Sequence, residues 1–340
     1  MTASPSEPDS AAAAFDAQVG HAEPIYLDPA DHDAPRLGAD SLLWKFYGDM
    51  RQVLGFQRLA GTENAIGQLG QGVLDHSKIF SDLLGRARRT VPPIMSAVYG
   101  SDPHAWGRQV RDYHRTIKGT MDDGSRYHAL NPELFYWAHA TFVDQVLYVT
   151  DTFIRRLSDA EKEQIFRESM IWYSLYGVSA RSQPQTYAQF QRYWDDMLDR
   201  FVPHKTVRYG TGYLRKGLPR PRRIPAPVWR IVSIPLDAAV RLVVIGTLPP
   251  QLREVCDLPW NERQERRFQR FAAAVRALNP VVNRLPMRWL YVECARAGWE
   301  REGIDPRSLH NRAAPQVGGA VSPPAVVGAV PKTASGSSGT

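Results

Sequence analysis

Two histidines, His114 and His139, each lie on the apolar face of a predicted helix. Each belongs to a set of residues at the i, i+3, i+4, i+7 spacing of one helix face. An imidazole in such a position can ligate a metal, exchange a proton or make a buried hydrogen bond. The first face consists of Val110, Tyr113, His114 and Ile117, and the second of Phe135, His139, Phe142, Val143 and Val146.

The two helices are predicted to pair as an antiparallel hairpin joined by a polar turn. The first is expected to begin at the candidate caps Ser101 and Asp102 and to end at Gly119, and the second to begin at Asn131. The histidines then lie about five residues before the end of the first helix and about seven after the start of the second. At roughly 1.5 Å of rise per residue, both imidazoles would sit at nearly the same height.

Two nitrogen ligands at one level, inside apolar and aromatic surface, are suited to hold a flat metallocofactor. Haem is the obvious candidate, since it needs an axial nitrogen and an apolar slot. The alternative interpretation is that each histidine is a hydrogen-bonded core residue, which is the commoner fate of a histidine on an apolar helix face.

The composition indicates a chain that can bury a large core. It has 340 residues, of which 43% are hydrophobic and 10% aromatic. The net charge of +7 has no basic stripe interleaved with aromatic residues, so no nucleic-acid partner is expected. Two cysteines, Cys256 and Cys294, exclude a disulfide framework. The acidic N-terminus lacks the features of a secretion signal, and a cytoplasmic location is predicted.

A membrane contact is predicted at one place. The most apolar stretch, Ile231 to Leu248, contains Pro235, Asp237 and Arg241 and is not expected to span a bilayer. A basic cluster precedes it, however, and the segment from Arg215 to Trp229 joins that cluster to apolar residues. Such a segment could rest on an anionic membrane surface as a peripheral contact. A solvated loop packed back on the protein is the alternative.

The periodicity along the chain predicts an all-α fold. We expect a single large helical domain, globin-like in style, over residues 40–302, with disordered segments at 1–39 and 303–340. No repeat, convincing strand pattern or composition shift interrupts residues 40–302.

Several motifs together resemble the latex clearing protein and MpaB-like oxygenase family. The similarity covers roughly residues 40–302, and the Trp-x-His-Ala-Thr string is its most specific part. The motifs are Gly72-Val73-x-Asp75-His76-Ser77, Val110-Arg111-x-x-His114 through Gly119, Asp123-Gly124-x-x-Tyr127, Asn131-Pro132-Glu133-Leu134, Trp137-Ala138-His139-Ala140-Thr141, Leu248-Pro249-Pro250 and Leu258-Pro259-Trp260.

The resemblance implies an all-helical fold that holds a b-type haem and activates dioxygen. It implies that His139 is the proximal iron ligand and that Arg111 and His114 lie on the distal side as catalytic and cofactor-binding residues. Thr141 is also predicted to belong to the cofactor site, with a purely structural role as its alternative. The rubber-cleaving members carry a lysine where this chain has His114 and a threonine where it has Arg115. These departures leave the reaction open.

Two functions of different classes are therefore compared. The first is a haem-dependent oxygenase that acts on a small hydrophobic substrate, isoprenoid or lipid-like. The second is a non-catalytic helical protein that binds a lipid or another hydrophobic ligand. A di-iron oxygenase would need paired Glu-x-x-His helices, and a hydrolase would need a Gly-x-Ser-x-Gly elbow. The sequence contains neither pattern.

Overall fold

The structure, a computed structural model, describes residues 36–77, 83–181 and 183–308, without the side chains of 83–89. Helices dominate the described residues, so the all-α prediction is confirmed. They are α1 (Leu42–Tyr47), α2 (Phe56–Asn64), α3 (Gly67–His76), α4 (Leu83–Tyr99), α5 (Pro103–Tyr113), α6 (Pro132–Val149), α7 (Asp159–Ser174), α8 (Tyr187–Leu198), α9 (Lys205–Gly210), α10 (Tyr213–Lys216), α11 (Ala226–Thr247), α12 (Pro250–Val255), α13 (Glu262–Ala277), α14 (Asn279–Val282), α15 (Met287–Leu290) and α16 (Glu293–Glu302).

Shorter elements complete the described part. They are 3₁₀ turns at Met50–Gly55 and Pro306–Ser308, a π-helical turn at Thr150–Ile154, and strands β1 (Lys118–Thr120) and β2 (Arg126–His128). Most of the two segments predicted to be disordered, 1–39 and 303–340, lies outside the described residues. No helix in the described ranges combines the length and the apolar composition needed to cross a bilayer.

Helix α6 is the buried centre of the fold. None of its residues is exposed, and it packs against α1, α2, α7 and the 3₁₀ turn at 50–55. A helix that is apolar on all sides is expected in the interior of a large domain. Asn131 caps its first turn by accepting a hydrogen bond from the Glu133 amide at 3.0 Å, as the sequence predicts. These four neighbouring elements are therefore packed around α6.

Polar groups fix both the start of α7 and its contact with α1. A capping box of Ser158 and Glu161 begins the helix. Further along α7, the Glu168 carboxylate accepts hydrogen bonds from the Leu43 amide at 2.7 Å and the Ser41 hydroxyl at 2.9 Å. A carboxylate at the start of α1 also interacts favourably with the positive end of that helix. The two helices are thereby fixed to each other.

The predicted helical hairpin is wrong in its connection. The first helix ends at Tyr113 with His114 as its C-cap, and it packs chiefly against α4. Along the chain, the antiparallel strands β1 and β2 lie between α5 and α6. Gly119, expected to end a helix, pairs with Tyr127 in this ribbon, and a Cβ atom there would come within 2.6 Å of the tyrosine hydroxyl. Gly124, at φ +86°, supplies the left-handed turn residue.

Helix α4 contains two consecutive prolines. Consecutive prolines such as Pro92 and Pro93 usually interrupt a helix, yet this helix runs through both from Leu83 to Tyr99. Proline removes an amide donor and crowds the preceding turn, but its φ angle is compatible with a helix. Tyr99 and other residues of the last turns are buried, so tertiary packing outweighs the local cost.

The buried ion pair of Arg58 and Asp144 gives a test of how α2 and α6 are held together. The guanidinium donates to Asp144 at 2.5 and 3.0 Å and to the Thr247 carbonyl at 2.7 Å. Arg58→Met should lower the free energy of unfolding by about 3–5 kcal/mol, because it leaves a buried carboxylate without its charged partner. Urea unfolding measures this loss.

Arg156→Met is the matched control for that substitution. Arg156 also pairs with an aspartate, Asp151, at 2.7 Å, but its side chain is 64% exposed. Exposed pairs contribute about 0–1 kcal/mol. Equal losses in the two variants would contradict the assignment of Arg58 and Asp144 as a structural link.

Candidate functional site

His139 lies in the interior where α6 faces α7. Only 3% of its surface is exposed. Its Nε2 atom is 3.1 Å from the carbonyl oxygen of Ser169 on α7. A carbonyl can only accept a hydrogen bond, so Nε2 carries the proton and Nδ1 carries a lone pair. Among the described residues nothing hydrogen-bonds to Nδ1, although the atom is fully buried.

Burial keeps this imidazole neutral. It lowers the pKa of His139 to about 3, against the weaker opposing effect of the hydrogen bond to the Ser169 carbonyl. A neutral imidazole with one nitrogen fixed by a carbonyl and the other unpaired is the form in which histidine ligates metals.

Aromatic rings enclose the imidazole. The rings of Trp172 and Tyr173 on α7 and of Tyr176 in the turn after it have centroids 4.8, 5.2 and 5.8 Å from it, and Tyr136 on α6 is 6.1 Å away. The end of α7 and the turn that follows it therefore supply three of the four rings. The surroundings of His139 are therefore apolar and almost free of charge.

Like the Nδ1 atom of His139, two tyrosine hydroxyls in this part of the core have no hydrogen-bond partner among the described residues. The hydroxyls of Tyr136 and Tyr193 are buried, and no described residue hydrogen-bonds to them. The two rings are 5.3 Å apart, and burial raises the pKa of both phenols. Buried polar groups without partners are uncommon in proteins and often indicate an unseen ligand or water.

Arg111 and His114 lie on the last turn of α5. The buried Arg111 donates through Nε to Asp112 at 2.9 Å, and its guanidinium lies beside Gly177, where an added Cβ would be 3.2 Å from it. The Nδ1 atom of His114 is 2.8 Å from the Val110 carbonyl. His114 is half-buried rather than enclosed in a core.

A path of ring contacts connects the two histidines. The His114 ring meets Phe135 edge-on at 5.6 Å, Phe135 meets Tyr176 at 5.3 Å, and Tyr176 meets His139 at 5.8 Å. Phe135 precedes His139 by one turn of α6. The two histidines are thus joined through one aromatic side chain of α6 and one from the turn after α7. The helix-face pattern identified Phe135, but Tyr176 has no local signal that points to the site.

Thr141 takes part in a different interaction. Its hydroxyl donates to the Ala138 carbonyl of the same helix at 2.7 Å. This bond satisfies the hydroxyl within α6, which agrees with the structural alternative for this residue. Asp144, five residues further along α6, pairs with Arg58 of α2.

The residues present could hold a haem through one histidine. Haem iron needs a single protein nitrogen in apolar surroundings, and His139 offers an unpaired, neutral Nδ1 inside an aromatic shell. In the described part of the chain, His, Cys, Asp and Glu side chains form no group of three that could hold a metal ion by themselves. The fit therefore rests on one imidazole.

Comparisons with known proteins show similarity to one protein family. A family model described as "ER-bound oxygenase mpaB/B'/Rubber oxygenase, catalytic domain" matches residues 44–277. This range contains Arg111, His114, His139 and Thr141. Relatives include "Uncharacterized protein Mb2261" of Mycobacterium bovis and "Uncharacterized protein Rv2237" of Mycobacterium tuberculosis. Each is 26% identical over 239 residues, which cover 67% of this chain and 88% of the relative. No solved structure matches this chain significantly.

The pKa of His139 predicts a dependence of stability on pH in the protein without bound ligand. The ordinary pKa of 6.5 applies to the unfolded chain, which therefore binds the proton more readily than the folded protein does. The stabilisation is complete above that pKa and is lost as the pH falls from there towards 3. Between pH 7 and pH 5 the loss should be about 2 kcal/mol.

Urea unfolding of the wild type and His139→Gln at the two pH values measures this effect. The variant should lose about 2 kcal/mol less than the wild type between them, because it lacks the titrating group. Trp172→Phe alters the same shell without adding or removing a group that titrates in this range. An equal pH dependence in the wild type and His139→Gln would contradict the buried neutral state.

The unpartnered hydroxyl of Tyr136 predicts an unusual effect of its removal. Tyr136→Phe removes a buried polar group that makes no hydrogen bond, so the free energy of unfolding should stay the same or rise by about 1 kcal/mol. Tyr99→Phe is the matched control. The Tyr99 hydroxyl donates to the Trp44 carbonyl at 2.5 Å and accepts from the Gly48 amide at 2.7 Å.

Tyr99→Phe should lower the free energy of unfolding by about 1–3 kcal/mol, because it leaves a buried amide and carbonyl unpaired. Urea denaturation of both ligand-free variants measures the contrast. A loss in Tyr136→Phe as large as in Tyr99→Phe would show that the Tyr136 hydroxyl has a protein partner after all.

Proposed function

This chain belongs to the family of mpaB and rubber oxygenase catalytic domains, and on that basis we propose that it is a haem-b-dependent oxygenase. Its substrate is a small hydrophobic molecule, isoprenoid or lipid-like. The observation that carries the proposal is the buried imidazole of His139, whose Nδ1 atom is unpaired among the described residues. Family membership supports an oxygenase in general, and this atom supports the haem.

In this proposal His139 is the protein ligand of the iron. The Ser169 carbonyl, 3.1 Å from Nε2, holds the imidazole in one tautomer and orientation, a role that outer-shell partners commonly have in metal sites. When bound, the haem supplies the dioxygen chemistry. The protein contributes the ligand, the apolar surroundings and the groups that position polar atoms.

Arg111 and His114 handle charge and protons. Ion pairing to Asp112 holds the buried Arg111 guanidinium in place, where its fixed positive charge stabilises negative charge that develops on oxygen. His114 is held through Nδ1 by the Val110 carbonyl, and its proposed role is to donate or accept a proton during the reaction. It is half-buried, whereas His139 is fully enclosed.

The aromatic residues shape the binding site. The rings of Trp172, Tyr173 and Tyr176 exclude water from the space around His139 and offer apolar surface to a hydrophobic substrate. The unpaired hydroxyls of Tyr136 and Tyr193 are available to polar atoms of the cofactor or of an oxygenated substrate. Such hydroxyls inside an apolar pocket fix the orientation of a ligand.

The proposal predicts a Soret absorption band in full-length protein expressed with a haem precursor. His139→Ala should abolish the band or reduce it at least tenfold, because it removes the axial nitrogen. Added imidazole should restore part of the band in this variant, which a merely structural loss would not allow. The measurement is the absorption spectrum of purified protein at equal concentration.

His104→Ala is the matched control, because His104 is a half-buried histidine on the first turn of α5. It should leave the spectrum unchanged. Colourless wild-type protein that carries a co-purified lipid would refute the haem proposal and favour the alternative, a non-catalytic binding protein. A band of equal strength in His139→Ala and the wild type would refute the assignment of His139.

A further inference from the structure

Helix α11 exposes apolar residues along most of its length. None of its residues 226–240 is buried, and Ile231 and Ile234 are 73% and 69% exposed. Val228, Val232 and Leu236 are also exposed. Contiguous apolar surface of this kind is rare on monomeric proteins and usually indicates an interaction site.

An ordinary surface helix turns its apolar face towards the core, whereas α11 turns apolar residues towards solvent. Up to residue 240, the half-buried residues follow one another at intervals of three or four, so they form one stripe that faces the protein. They are Trp229, Ser233, Asp237 and Val240. At about 100° per residue, the arc opposite this stripe is apolar, and Arg230 and Arg241 lie along one of its borders.

Positive charge is concentrated in the same region. Residues 200–236 contain nine Lys or Arg residues and no Asp or Glu, and all nine are exposed. They are Arg200, Lys205, Arg208, Arg215, Lys216, Arg220, Arg222, Arg223 and Arg230. The whole chain has a net charge of only +7. The excess therefore coincides with the exposed apolar helix.

Two exposed arginines next to α11 can contact an anionic partner. Arg222 and Arg223 immediately precede α11, and neither forms an ion pair with any described residue. Asp237 is the one acidic residue of α11. It belongs to the stripe that faces the protein, and it accepts a hydrogen bond from the Leu218 amide at 2.8 Å. Negative charge is thus directed away from the exposed face.

We infer that the exposed face of α11 and the basic segment before it, residues 215–236, form a docking surface for an anionic lipid bilayer. Apolar side chains on such a surface enter the boundary between headgroups and acyl chains, and the arginines contact anionic headgroups. A second copy of the chain is a poorer occupant, since a symmetric interface would place the arginine-rich segments beside each other. The inference does not depend on the proposed oxygenase activity.

The test is flotation of the full-length protein with vesicles of phosphatidylcholine alone or with about one third phosphatidylglycerol. The protein should bind the anionic vesicles and not the neutral ones. Binding should weaken strongly as salt is raised to about 1 M, where charges are screened within about 3 Å.

Two double variants separate the contributions of charge and apolar surface. Arg222→Gln with Arg223→Gln should weaken binding about 25-fold at low salt, since each basic residue near an anionic surface contributes about fivefold. Its control is Arg126→Gln with Arg192→Gln, exposed arginines on β2 and α8. Ile231→Ser with Ile234→Ser should weaken binding about tenfold or more. Its control is Val91→Ser with Val202→Ser, exposed valines outside α11.

The outcomes distinguish the possible occupants. Loss of binding in both test variants and unchanged binding in both controls would support the membrane surface. Absence of binding to anionic vesicles would overturn it. The inference would also fail if the wild type were dimeric by sedimentation velocity and Ile231→Ser with Ile234→Ser were monomeric, because a second copy would then cover this face.

Discussion

The fold depends on the need to satisfy polar side chains inside a helix that is buried on every side. Burying a polar group without a hydrogen bond is costly, so each such side chain of α6 requires a partner from a neighbouring element. The Asp144 carboxylate binds Arg58 of α2, and the Gln145 amide donates to the Gln52 carbonyl at 2.7 Å. These bonds fix where the surrounding elements lie along α6.

His139 belongs to this set but is only half satisfied. Its Nε2 atom bonds to Ser169, and its Nδ1 atom has no partner in the described structure. The same burial that makes an unpaired nitrogen costly also keeps it unprotonated, because the pKa falls to about 3. The energetic cost of the unpaired nitrogen and its unprotonated state therefore both result from burial. Proteins keep such costs mainly at functional sites.

Local patterns in the sequence were sufficient for the helices and for one side of the candidate site. The cap at Asn131, the capping box at Ser158 and the apolar face that contains His139 each depend on residues within a few positions of one another, and the structure has all three. The partners of His139 could not be predicted in this way. Ser169 lies thirty residues further along the chain, and only the packing of α6 on α7 brings its carbonyl to the imidazole.

The two strands between α5 and α6 could not be predicted from local patterns for a different reason. Strands of three residues are too short to show an alternating pattern, and glycine occurs both at helix ends and where another group approaches a strand closely. The local pattern therefore predicts a helix end at Gly119, whereas its constraint in the structure is the close approach of Tyr127. The early end of α5 also changes the setting of His114, which caps a helix instead of lying on a buried helix face.

These settings give the two histidines complementary capacities. His139 is neutral at any physiological pH and has no hydrogen-bonded route to solvent, so it is suited to donate a lone pair and not to exchange protons. His114 is half-buried, with Nδ1 held by the Val110 carbonyl, and therefore lies in a more solvated setting than His139. A ring path through Phe135 and Tyr176 connects the two side chains. Burial, more than residue type, distinguishes the two imidazoles.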